Sequence, residues 1–283
     1  MSLQKKSIYL LEQIQKILDS YSSKITLRQL YYQLVARQII PNHQSHYAKL
    51  SRLCVIGRNE GILNEEAFAD RLRILDKPAS WPDLSSFMDT VKKAYRRDRW
   101  QDQERYIEVW TEKDALRGVI SPITHEYGVP LLVVRGQVSR TAIYEAYSRF
   151  AAKMDEEKQC RLYYVGDYDP SGIGIFRSLV ERLRNHSHGE GEKIEFYRPA
   201  LTQVQIEKYN LPTDPAKESD PNYKRFVKEH GDLSVELDSL PPEILTELIK
   251  SCIEANIEPV IFDHDRKIEE QEIERLQNIG GVL

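Results

Sequence analysis

Residues 160–178 read CRLYYVGDYDPSGIGIFRS. Cys160 to Val165 is a short apolar and aromatic run, the pattern of a buried strand. It stops at Gly166, and two carboxylates follow, Asp167 and Asp169. Pro170 and Ser171 then open an amphipathic helix in which Ile173, Phe176, Leu179 and Val180 recur at helical spacing. A strand ending in Asp-x-Asp and turning into a helix places acids at the carboxyl edge of a sheet, where open α/β folds bind ligands. Residues two apart in extended chain point the same way, so both carboxylates can face one point. Like charges held that close repel, and a hard divalent cation with oxygen ligands relieves them. The other reading of the pair is a helix cap and turn.

The flanking sequence extends the same alternation. RYIEVW (105–110) reads as a strand, TEKDALRGVISPITHEYG as a helix and VPLLVV as a second strand. After RGQVSR, TAIYEAYSRFAAKM is the next helix, and KIEFYRPA, beyond the 160–178 unit, is a fourth strand. Strand-helix alternation at this spacing predicts a parallel α/β sheet. Glu112 ends the first strand as Asp167 and Asp169 end the third, so three acids converge on one rim, which favours a metal site over a cap.

The 283 residues suit one large domain or two ordinary ones. With 41% hydrophobic and 30% charged residues, a soluble globular chain with a sizeable core is expected. No apolar run approaches the ~20 residues of a membrane span, and the N-terminus lacks the marks of a secretory signal. Cys54, Cys160 and Cys252 have neither disulfide nor zinc spacing, which fits a reducing cytoplasm. Charge is unevenly spread. Residues 1–100 hold 17 Lys and Arg against 10 Asp and Glu, whereas the remainder holds 23 against 34. A basic front and an acidic rear suit a phosphate-touching module joined to a metal-holding one.

In the front half, Ile8, Leu11, Ile14, Ile17 and Leu18 mark a first helix. Thr26 is placed to cap LRQLYYQLVARQ. Leu27, Leu30, Tyr31 and Leu34 share one face of that helix, while Arg28 and Tyr32 lie one turn apart on another. A third helix, HQSHYAKLSRLCVIGRNEG, turns Tyr47, Leu50, Leu53 and Cys54 inward and leaves Lys49, Arg52 and Arg58 for phosphate. GILNEEAFADRLRIL then reads as a short wing, so the organisation is helix-turn-helix or winged-helix. DKPASWPD breaks the pattern. Leu84, Phe87, Met88, Val91 and Tyr95 give another amphipathic helix, ending in KKAYRRDRWQDQ, a basic tract that fits phosphates, a solvated face or an inter-domain brace. Past residue 200 come a short helix, a Pro-rich polar loop, a helix opened by Pro241 and Pro242, and a charged terminal helix stopped by glycines. Asp263 and Asp265 repeat the Asp-x-Asp spacing but read as surface or cap.

TEKDAL followed by GDYDPSG resembles a Toprim domain, and TLRQLYYQL resembles the tyrosine helix of the topoisomerase VI A subunit and its meiotic double-strand-break relatives. The likeness covers roughly residues 25–185. The tail, with YNLPTDPAK and VELDSLPP, resembles that of bacterial and phage Toprim proteins of undefined activity. The resemblance implies a winged-helix domain at 1–78, a linker helix at 79–104, a Toprim domain at 105–200 and a helical extension at 201–283. It implies Mg²⁺ (or Mn²⁺) on Glu112, Asp167 and Asp169, with Tyr32 cleaving and Arg28 helping. Lys49, Arg52, Arg58, Lys113 and Arg140 are the expected DNA contacts. Double-stranded DNA is the expected partner, in a two-fold dimer where one protomer's tyrosine meets the other's metal site, with a separate ATPase subunit supplying any strand passage. A cytoplasmic, nucleoid-associated place follows.

A phenol near pKa ~10 is a weak nucleophile at neutral pH, and a cation one turn away favours phenolate. Attack on a phosphodiester would leave a phosphotyrosyl bond that conserves the energy for rejoining. Three alternatives remain at this point: a Toprim nuclease using metal-activated water, a non-catalytic DNA-binding protein, and phosphatase-type chemistry.

Overall fold

The computed structural model describes residues 4–21, 24–68 and 78–280. Helices α1 (Lys5–Asp19), α2 (Leu27–Ala36) and α3 (Gln44–Asn59) form an N-terminal bundle. Their apolar faces close on one another, and Leu11, Ile14, Leu30, Leu34, Leu50 and Cys54 are buried together. The start of α2 is fixed by a capping box. Thr26 Oγ1 accepts from the Gln29 amide at 3.2 Å, and Gln29 Oε1 accepts from the Thr26 amide at 2.8 Å. The wing expected after α3 is represented by one 3₁₀ turn at Glu65–Ala67 and a bridge pairing Ile25 with Phe68. Its remainder, 69–75, lies outside the described residues.

Helix α4 (Leu84–Ala94) buries none of its residues, and Leu84 and Phe87 stand exposed. The basic tract after it is a brace. Arg97 Nε meets Asp265 Oδ1 at 2.8 Å, Arg99 meets Glu269 at 2.8 Å, and the Tyr95 hydroxyl donates to Glu272 at 2.5 Å. All three acids lie on the terminal helix α11 (Pro259–Gly280). Asp265, expected at the surface, is therefore buried, because it faces a guanidinium from another element rather than water.

Strands β1 (Arg105–Thr111), β2 (Leu131–Val133), β3 (Gln159–Val165) and β4 (Glu195–Ala200) form a parallel sheet in the order β2-β1-β3-β4. The strand period of two divides its side chains between two layers. Ile107, Val109, Tyr163 and Val165 pack on one face with α5 (Arg117–Tyr127) and α10 (Pro242–Glu254). Trp110, Cys160, Leu162 and Tyr164 pack on the other with α6 (Arg140–Asp155) and α7 (Pro170–Arg184). Helix α5 begins later than the sequence suggests: Glu112 and Lys113 remain in a loop, and Asp114–Leu116 make a 3₁₀ turn first. Two short helices, α8 (Gln203–Lys208) and α9 (Tyr223–His230), complete the rear half, and α9 falls just past the Pro-rich loop, in a stretch to which the sequence reading assigned no element.

This order has a consequence for ligands. From β1 the chain crosses outward to β2, and from β3 it crosses the opposite way to β4. The neighbours β1 and β3 therefore flank the point where the winding reverses, the crevice at which open α/β sheets hold ligands.

On the α6 face, Glu108 is buried yet fully engaged. It accepts from Trp110 Nε1 at 2.7 Å, from the Tyr106 hydroxyl at 2.8 Å, and from Arg149 at 2.9 and 3.0 Å. Removing it would orphan a buried indole N–H and a guanidinium. Glu108→Ala is expected to lower stability by about 2–4 kcal/mol, read from the urea unfolding midpoint.

Candidate functional site

Thr111 pairs with Val165 at the ends of β1 and β3, so the next residues of each strand enter the crevice side by side. Glu112 leaves β1 there. Burial, then the charge of Asp169, pushes its carboxyl above the ordinary range, and the carboxylate lies against the buried Tyr164 hydroxyl. From β3 the chain passes through Gly166, whose position leaves no room for a side chain: a Cβ there would stand 2.7 Å from the Tyr164 ring. Asp167 follows, then Tyr168, then Asp169. Asp169 Oδ1 accepts from the Gly172 amide at 2.6 Å and caps α7, so one of its oxygens does the work of a helix cap. A Cβ on Gly172 would meet the Asp167 carbonyl at 2.5 Å, which explains the small residue two places after Pro170.

Asp167 is held from two sides. Its Oδ1 accepts from the Leu237 amide at 2.7 Å and lies 2.8 Å from Lys113 Nζ. The Leu237 end of that grip belongs to a segment that zips onto the Asp-x-Asp loop, with reciprocal Tyr168–Val235 backbone bonds at 2.9 and 2.8 Å. The same segment supplies two further acids. Lys113 Nζ also contacts Glu236 and lies 2.8 Å from Asp238 Oδ2. Burial alone would lower the Lys113 pKa, but Asp238, Asp167 and Glu236 together raise it. Against burial, Lys113 and Arg28 draw Glu236 down to about 2. Burial dominates at Asp167 and pushes it up to about 8. Lys113, expected as a DNA contact, is thus turned inward onto three carboxylates.

The tyrosine helix reaches the same place. Arg28 Nη2 meets Glu236 Oε2 at 3.0 Å, and its Nε lies 3.8 Å from Asp238 Oδ2. The guanidinium also lies 5.8 Å from the centre of the Tyr32 ring. Tyr31 instead enters the bundle core and bonds Asn42 at 3.0 Å, so the two adjacent tyrosines differ as their helical phase requires. Tyr32 is not activated by this setting. Burial, then the Glu236 charge, raises its phenol above the ordinary value, and Arg28 and Lys113 oppose the rise without reversing it. The cation expected to favour phenolate is committed to Glu236. Within one chain Arg28 contacts Glu236 and Asp238, whose charges act on Tyr32, whereas the family resemblance implies that the tyrosine meets the metal site of the other protomer.

The outer cations divide. Lys49, Arg52 and Arg140 are exposed. Arg58 is engaged, 2.9 Å from Glu65 and over the Phe68 ring at 4.9 Å. Glu236 and Asp238 were missed in the sequence, where ELDSLPP read as a helix start. Their acid-x-acid spacing, the same as at Asp167 and Asp169, was the available signal.

Among the described residues, no group of three or more His, Cys, Asp or Glu side chains is arranged to hold a metal ion. The structure brings Glu112, Asp167 and Asp169 to one rim but not into one coordination shell. Asp167 is turned to Lys113, and Asp169 is partly spent on the α7 cap. Donor chemistry and charge nevertheless fit a hard divalent cation. Glu112, Asp167, Asp169, Asp214, Glu236 and Asp238 act on one another across a cluster whose cations are Arg28, Lys113, Arg198 and Lys217. The acids named here outnumber these cations, and Asp238 Oδ1 is buried without a hydrogen-bond partner. No family model matches the chain, and no curated protein matches it.

The Asp167 shift has a sign that can be measured. Its folded pKa, about 8, stands above the reference 3.8, so between these pH values the folded chain holds a proton the unfolded chain has released. Its contribution to stability therefore falls as pH rises through that window. In EDTA, Asp167→Asn removes this slope. Its urea midpoint is expected to gain on that of the wild type progressively from pH 5 to about pH 8.

Proposed function

We propose that the chain cleaves the phosphodiester backbone of DNA at the crevice between β1 and β3, in the manner of Toprim enzymes. The observation that carries this reading is that Arg28 and Tyr32, more than 200 residues from Glu236 in sequence, lie against the acidic crevice that also receives Glu112, Asp167 and Asp169. Further support comes from the winding reversal, which makes this crevice the expected ligand site, and from exposed Lys49, Arg52 and Arg140 for phosphate contact. The three-helix bundle supplies the DNA-binding, winged-helix-like part of this reading.

Glu112, Asp167 and Asp169 would hold Mg²⁺ or Mn²⁺, which when bound neutralises charge on phosphate oxygens. The chain's own residues do the rest. Tyr32 presents the phenolic oxygen that would attack phosphorus and displace a sugar oxygen, with its proton lost to an acceptor at the crevice. Arg28 already opposes the rise of the Tyr32 phenol, and substrate phosphate that displaced Glu236 from the guanidinium would remove the acid charge that works against it. Asp238 and Glu236 keep Lys113 charged and oriented, and Lys113 and the Leu237 amide fix Asp167.

A second reading, hydrolysis by water at the same acids, is favoured by the raised Tyr32 phenol. Supercoiled plasmid incubated with Mg²⁺ or Mn²⁺, then denatured and treated with protease, separates the two. Under the first reading, broken DNA carries attached protein, and Tyr32→Phe abolishes both breaks and attachment. Under the second, Tyr32→Phe keeps the breaks and no protein is attached. Glu112→Gln is expected to slow cleavage by about 100-fold or more under either. Intact plasmid with both metals, or breaks indifferent to Glu112→Gln, would refute the proposal.

A further inference from the structure

A cleft of about 760 Å³ opens beside the acidic crevice, between α7, the end of β4, the start of α8 and the C-terminal end of α9. Its volume is that of a small-molecule site. One wall is apolar and aromatic, made by Tyr168, Ile173, Phe176 and Val180. Three guanidinium groups line it as well, Arg177, Arg184 and Arg198, against two carboxylates, Glu181 and Glu192. Thr202 and Gln203 add hydrogen-bonding groups. Arg198 is unusual among these. Its Nη2 donates to the carbonyls of Gly166 at 2.9 Å and Asp167 at 2.5 Å and its Nη1 to that of Leu201, so its fork is held by backbone and its charge reaches the cleft from behind the wall. Arg177 is shared with Glu229 at 2.9 Å, and Arg184 lies over the Phe196 ring at 5.5 Å.

A flat apolar wall edged by guanidinium groups suits a ligand with a ring at one end and an anion at the other. Nucleobases stack on aromatic and guanidinium faces with a gain of about 1–3 kcal/mol each, and guanidinium forks match phosphate oxygens. We propose that this cleft binds one nucleoside monophosphate unit, base against Phe176 and Val180 and phosphate toward Arg184, with the charge of Arg198 behind it. The choice of a nucleotide rests on the nucleic-acid reading above; the anionic, ring-bearing character of the ligand does not. Tyr168 lines the cleft while its chain neighbours Asp167 and Asp169 belong to the crevice, so a nucleotide seated here would adjoin the cleavage site. The unit could arrive as a free nucleotide or as an unpaired residue of a strand.

The test uses the full chain in EDTA, where no cleavage occurs, so its outcome is independent of the plasmid assay. Isothermal titration with dAMP, adenosine, inorganic phosphate and a short single-stranded oligonucleotide measures binding. Binding of dAMP at least about tenfold tighter than adenosine or phosphate is expected. Val180→Trp, which fills the wall, and Arg184→Ala, at an exposed position, are each expected to weaken dAMP by about tenfold or more without lowering the melting temperature. An oligonucleotide that binds more tightly than dAMP and is also weakened by Val180→Trp identifies the strand as the source, and binding of dAMP alone identifies a free nucleotide. If Val180→Trp does not fold, Arg184→Ala decides. Absence of dAMP and oligonucleotide binding, or binding that both variants leave unchanged, would overturn the proposal.

Discussion

A buried ammonium among three carboxylates organises the rear half of this protein. Lys113 stands where the charges of Asp167, Glu236 and Asp238 would otherwise repel. Desolvating such a group is expensive, and only close, multiple acid contacts offset it. The arrangement also adds a charged tie between parts of the chain that the sheet and the Tyr168–Val235 bonds already bring together. The loop after β1 carries the lysine, the loop after β3 carries Asp167, and the segment before α10 carries the other two acids. Through Glu236 the cluster reaches Arg28 and so fixes where α2 rests.

The sheet provides the platform and the later segment finishes it. Parallel pairing brings Glu112 and Asp167 to adjacent strand ends. By itself that places carboxylates near one another without setting their directions. The Val235–Tyr168 bonds and the Leu237 amide set the direction of Asp167, and the Gly172 amide sets that of Asp169. Each acid is thereby assigned to a donor, which is why they share a rim without sharing a centre. The acids of this cluster outnumber its cations, and burial answers part of the shortfall by keeping a proton on Asp167.

The parallel sheet was legible because strand and helix periods alternate cleanly from residue 105 to 200, and because Gly166 and Asp-x-Asp mark a strand end. The capping box at Thr26 and the contrast between Tyr31 and Tyr32 were legible for the same reason: both depend on neighbours within one turn. What escaped was non-local. Nothing within a few residues of Asp265 reveals that Arg97 will meet it, and nothing near Lys113 reveals Asp238, 125 positions away. Both were read as surface charges because an isolated charged residue usually is one. The raised Tyr32 phenol escaped likewise, since the guanidinium one turn away was visible and the competing Glu236 was not.

The segment that grips Asp167 lies late in the polypeptide. A ribosome making this chain releases the tyrosine helix first and the complete sheet next, while residues 235–238 are still to come. Until they emerge, Lys113 has one of its three acids and Asp167 lacks its amide donor. Residues 235–238 are thus made after all four strands, as is α10, which covers one face of the sheet, and they join the loops after β1 and β3 to α2.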